Sequence, residues 1–201
     1  MLSICSTFEE WYIEDGNYPP LNKGDKVNLS FSMQIKNIEI IEDEIYNFNK
    51  IKYSEYEFSG KVIYNYDNIL IIDTNNFMFY SDEGKKAGKK NKDILLNSFV
   101  KGSGKLLVDY YVWVGNYGKR GENPPDIFYN FIVEKILEIN ILENFIKETN
   151  NGFSLPCSLT SDYFNDTDIN EVDKMDIEKG FSFYFLELTE INEQIKRTYL
   201  R

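Results

Sequence analysis

Four carboxylates crowd two aromatic residues near the start of the chain: Glu9, Glu10, Glu14 and Asp15 surround Trp11 and Tyr12. Acids beside aromatic rings suit a sugar site, in which one carboxyl donates a proton and another acts as nucleophile or base. The same pattern describes an amphipathic edge segment, because extended backbone puts Glu9 on the Trp11 face and Glu10 on the Tyr12 face. A second acidic run spans residues 165–176 (NDTDINEVDKMD). Asp166, Asp168 and Asn170 match the first three ligand spacings of a calcium loop, but the required glycine position is Glu171 and the required glutamate position is Ile177. That excludes an EF-hand and leaves an acidic surface suited to a basic partner, carried by Asp166, Asp168, Glu171, Asp173 and Asp176.

Two glycine–lysine segments invite a phosphate reading, and both fail it. Residues 84–92 (GKKAGKKNK) have the wrong glycine spacing and no Ser or Thr after the lysine, so they read as a solvated loop tip. Gly102-Ser103-Gly104-Lys105 has Phe99 where the first glycine of the pattern belongs. It is expected to be a turn entering a strand. Trp113, with Tyr110, Tyr111 and Tyr117, offers either a covered central strand or an aromatic binding face in which Trp113 and Tyr117 contact a partner.

The 201 residues contain no histidine, which excludes Ser-His-Asp and Cys-His catalysis and His-based metal sites. Cys5 and Cys157 form no CxxC motif and are expected to be reduced, buried and inert. No motif calls for a cofactor or a metal. The formal net charge of −11 disfavours nucleic acid and anionic membrane surfaces and favours a basic protein partner. The first fifteen residues lack the basic start and apolar core of a signal peptide, and no run approaches a membrane span, so the expected compartment is the cytoplasm.

The elements that must position these residues are strands. Val27, Leu29, Phe31, Met33 and Ile35 alternate with polar residues, and then the phase slips to Ile38 and Ile40, which predicts a bulge near Lys36–Asn37. Further strands are expected at 56–66, where Gly60 marks a bend or a close backbone approach, and at 69–80 with a break at 73–76. Others are expected at 105–115, at 127–141 and from Phe181 onward. Short helices are expected around Ile94–Phe99, after Leu142, from Asp168 through Met175, where Asp168-x-x-Glu171 resembles a capping box, and in the tail from Ile191.

The fold class expected is mainly β and antiparallel, a partly closed barrel of five or more strands with short connector helices, in which an OB-type order is one arrangement. The chain reads as one domain over 1–201. Alternatively, Trp11 and Trp113, each followed by an Asn-Tyr pair, a Pro-Pro pair and a long strand, divide it into two similar halves, about 1–90 and 91–201. The function expected is non-catalytic: recognition of a protein partner through acidic and aromatic surface, as in an immunity or antitoxin-like inhibitor. The alternatives are a carboxylate enzyme acting on a glycan and an OB-like module for oligonucleotides or oligosaccharides.

Overall fold

The phase slip at residues 36–37 is a bulge, and it shapes the molecule. The computed structural model describes residues 1–9, 11–66, 69–81, 94–109, 124–140, 147–149, 152–154, 164–176, 183–193 and 195. Strand β1 is Ser3–Glu9, followed by a single helical turn, α1, at Trp11–Glu14. The expected long strand is two, β2 (Lys26–Leu29) and β3 (Phe31–Ile41), and the register of β3 against β8 (Phe99–Val108) shifts between Ile35 and Asn37. The next strands are β4 (Asn47–Lys52), β5 (Glu55–Tyr66), β6 (Ile69–Asp73) and β7 (Met78–Ser81). After β8 come β9 (Tyr129–Ile139), the small hairpin β10 (Lys147–Thr149) and β11 (Gly152–Ser154), then β12 (Ile169–Val172) and β13 (Phe183–Glu190).

Five strands close a barrel. β3 pairs with β8, β8 with β5, β5 with β6, β6 with β7, and β7 with β3. Four of these contacts are antiparallel, and the β3–β7 contact through Ser32 and Tyr80 is parallel. Parity requires this: directions cannot alternate all the way round a ring with an odd number of members. A second parallel contact, Thr7 beside Leu107, joins β1 to the outside of the ring. The sheet is therefore mixed, which corrects the antiparallel expectation. Barrel membership also differs from the OB-type order, because residues 129–139 lie outside the ring, where β9 pairs with β2, β12 and β13.

Glycines let the ring close. A Cβ on Gly60 would stand 2.3 Å from the Asp73 carbonyl oxygen, the close approach expected from sequence. Gly102-Ser103-Gly104 lies in the middle of β8, not at its entry, which corrects the expected turn. β8 is sandwiched between β3 and β5, and a Cβ on Gly102 would stand 2.3 Å from the Asn37 carbonyl oxygen in the bulge. Inside the ring Phe31, Phe58, Phe77 and Phe79 are buried in edge and tilted contacts, each contributing about 2–3 kcal/mol from water exclusion.

β1 carries no clean alternation, since Ser6 and Thr7 are fully buried among apolar neighbours. Thr7 Oγ1 and Ser54 Oγ lie 2.8 Å apart, and Ser6 Oγ donates to the Leu106 carbonyl at 3.3 Å. β1 is paired along its whole length with β13, whereas its backbone pairing with β8 is the single pair Thr7 with Leu107. On the unpaired side Tyr56 takes the place of a strand: its hydroxyl accepts from the Cys5 N–H at 2.7 Å and donates to the Cys5 carbonyl at 3.1 Å. Tyr56→Phe leaves both backbone groups unsatisfied in a buried place, and urea denaturation should show a loss of about 2 kcal/mol.

Two expected helices are absent. Residues 94–98 form a turn that ends in Asn97 (φ 71°) and is tied to β5 by Asn97 N–H to Val62 O and Val62 N–H to Ser98 O. The Asp168-x-x-Glu171 pair caps no helix: the one 3₁₀ turn, Asp166–Asp168, lies before it and is closed by Asn165 with Asp168, while residues 169–172 gain a ladder against β9 by staying extended. The turn after Leu142 lies outside the described residues; of the tail helix expected from Ile191, residues 191–193 and 195 are not helical and the rest lies outside the described residues.

Candidate functional site

The acidic segment is fastened to the molecule by its own charges. Asp166 accepts from the Lys52 ammonium at 2.9 Å and from the Tyr53 hydroxyl at 2.8 Å, and these two donors, Lys52 first, hold its carboxyl below the usual carboxylate range. The Tyr53 ring stacks on Phe185 with centroids 4.8 Å apart; burial and then Asp166 push its hydroxyl up to about 12. Glu171 pairs with Lys23 at 2.8 Å, which lowers the carboxyl and raises the ammonium. Asp168 accepts the N–H of Asn165, and Asp173 and Asp176 are held through their backbones by Lys23 and Tyr184. The structure thus gathers these five acids at one edge of the sheet, and gives Asp166 and Glu171 cations from within the chain. Exposed pairs of this kind add little stability; their effect is to neutralise.

Uncompensated charge lies elsewhere. Glu42, Asp43 and Glu44 are exposed in the link between β3 and β4, and no cation pairs with them among the described residues. This link sits where Ile41 pairs with Phe99, the end of the barrel at which β8 begins. The same end exposes Ile40, Ile45, Tyr46, Leu95 and Leu96. Sequence reading missed this surface. Its signal was IEIIEDEIY, a run in which apolar residues continue beyond any pattern that a core face can use.

A third group lies on the flank of the barrel. Lys105 is buried in β8, and burial pulls its pKa down from 10.5 to about 8, against the upward pull of Glu9 and Glu55 and with a small downward push from Lys36. Lys36 itself pairs with Glu55 at 2.7 Å. A lysine whose folded pKa lies below its unfolded one binds fewer protons when folded, so stability rises with pH through the window from about 8 to 10.5. The wild-type chain should therefore gain roughly 2 kcal/mol over Lys105→Met between neutral pH and about pH 9.5, measured as the difference between their denaturation midpoints.

Asp109, just past β8, is fully buried. Its carboxylate accepts from the Tyr80 hydroxyl and from Ser30 Oγ, and its carbonyl accepts from the Tyr18 hydroxyl at 2.6 Å. Sequence reading passed over it, although an acid inside KLLVDYYVWV is the kind of interruption that signals a buried polar centre. Cys5 is free and buried, as expected, and burial pushes its thiol up to about 12, which makes it a poor nucleophile.

Trp113, Tyr117, Tyr110, Tyr111, the basic run 84–92, Glu10 and Cys157 lie outside the described residues, as do the side chains of Trp11 and Glu14. Among the described residues no group of three His, Cys, Asp or Glu side chains is placed to hold a metal, and no helix is long and apolar enough to cross a membrane. In comparisons with known proteins, no family model, no curated protein and no solved structure matches this chain.

Proposed function

We propose that this chain is a non-catalytic binding protein that recognises a basic protein partner, in the manner of an immunity or antitoxin-like inhibitor. The observation that carries this reading is the set Glu42, Asp43 and Glu44, exposed together at one end of the barrel with no cation among the described residues, on a chain of net charge −11. Uncompensated charge of one sign raises the rate at which an oppositely charged partner arrives, and fixes its orientation on arrival. The acids at 166–176 serve the same attraction less well, because Lys52 and Lys23 already occupy two of them.

The test is affinity capture from the native cell at low and then moderate salt, followed by binding kinetics with the captured protein. A basic partner whose association slows by about tenfold with added salt, and by a similar factor with Glu42→Lys/Asp43→Lys/Glu44→Lys, supports the reading. Association insensitive to both changes, or turnover of a small molecule by the purified chain, overturns it.

A further inference from the structure

We propose that the apolar residues at this barrel end, Ile40, Ile45, Tyr46, Leu95 and Leu96, seat the apolar face of a cationic amphipathic segment of the partner protein. The inference rests on the binding reading above and adds the surface and the chemistry of its occupant. These side chains are between 42% and 67% exposed, and pairing places their strands and turns together: Ile40 opposite Val100, Ile41 opposite Phe99, and the 94–98 turn leading directly into β8. Single exposed apolar residues are ordinary, but five at one end of a small protein are what a docking surface displays.

The surface is also preorganised. The Tyr46 ring stands edge-on to Phe99 with centroids 5.3 Å apart. Leu95 and Leu96 ride on a turn held by Ser98 N–H to Leu95 O at 3.1 Å and by Asn97 N–H to Val62 O at 2.8 Å. Side chains already held in place lose less freedom on binding, so more of the contact energy appears as affinity.

The rim decides the occupant. Glu42, Asp43 and Glu44 border the apolar residues, whereas Glu39, farther back along β3, is neutralised by Lys101 at 3.0 Å. A second copy of the chain docked symmetrically would set this acidic rim against itself, and an anionic lipid surface would meet the same repulsion. A segment with apolar residues at helical spacing and lysine or arginine on its flanks satisfies both the centre and the rim.

The probes are three synthetic peptides of equal length: Lys and Leu at amphipathic helical spacing, the same with Glu for Lys, and the same with Ser for Leu. Binding is followed on the full chain by methyl NMR. The expected result is that the first peptide shifts the methyl signals of Ile40, Ile45, Leu95 and Leu96 and binds at least about tenfold more tightly than the other two. Leu95→Ser/Leu96→Ser should lose that advantage while its melting temperature stays within a degree or two of wild type, since both side chains are exposed. Shifts confined to other methyls overturn the inference, as does equal binding of the Lys/Ser peptide. Concentration-dependent self-association abolished by the same double substitution would make the occupant a second copy and also overturn it. Shifts at these methyls when Lys85, Lys86, Lys89, Lys90 and Lys92 are replaced by Ser in the free chain would make the occupant a segment of the protein itself, which overturns it equally. If a salt-sensitive basic partner is captured but binds with shifts elsewhere, the functional reading stands and this surface falls.

Discussion

Asp109→Ala should cost about 4 kcal/mol of folding stability, a large part of what a domain of this size commonly has. The substitution removes the acceptor shared by Tyr80 and Ser30, both buried, and leaves two hydroxyls without that partner in a water-poor place, at about 1–3 kcal/mol each. The loss is wide in its reach because the carboxylate joins the end of β8 to Ser30 at the head of β3 and to Tyr80 in β7, while the Tyr18 bond to the main-chain carbonyl is kept. Tyr80 belongs to the parallel contact that closes the ring. Denaturant unfolding measures the effect directly. Tyr80→Phe and Ser30→Ala should cost about 1–2 kcal/mol each, and combining either with Asp109→Ala should add little, because the interaction is already gone. A loss below about 1 kcal/mol for Asp109→Ala would mean that the carboxylate is a bystander.

Gly102→Ala is the second large effect. A single methyl group there would lie 2.3 Å from the Asn37 carbonyl oxygen and 2.8 Å from Phe58 Cζ. The carbonyl belongs to the bulge, and β8 is gripped by β3 on one side and β5 on the other, so it cannot shift away from one without losing the other. Overpacking against backbone in this setting should cost more than about 3 kcal/mol, and Gly102→Val more again. The control is Ser103→Ala on the outward face, where the hydroxyl accepts from the Asn37 side-chain amide; it should cost no more than about 0.5 kcal/mol. If Gly102→Ala melts within a degree or two of wild type, the ring is looser than its geometry implies.

These two sites show what one sequence reveals and what it hides. The bulge at 35–37, the close approach at Gly60 and the break at 73–76 are legible because each leaves a local mark: a slipped phase, a glycine inside a strand, a run of turn formers. Gly102-Ser103-Gly104 carries the same mark but a different cause. Its glycines answer to strands more than 40 residues upstream, and local reading gives them to a turn. β1 is illegible for a related reason. Ser6 and Thr7 look solvent-facing until Ser54 and the Leu106 carbonyl are brought to them. Asp168-x-x-Glu171 is a sound local signal that loses to a partner strand, β9. The acids of the candidate surface show the same limit. Charge is counted easily along a chain, but neutralisation depends on Lys52 meeting Asp166 and Lys23 meeting Glu171, each across more than a hundred residues.

The pairing of β1 with β13 has a consequence for synthesis. Ser3 meets Thr189 across a separation of 186 residues, and among the described strands β13 bridges β1 to β9. A nascent chain leaving the ribosome can assemble the five-membered ring once residue 108 has emerged, but β1 must then wait for about eighty more residues before its other edge is covered. During that interval a strand rich in buried apolar side chains stands open to other chains. Docking of β13 onto β1, not closure of the ring, is the step that removes this open edge.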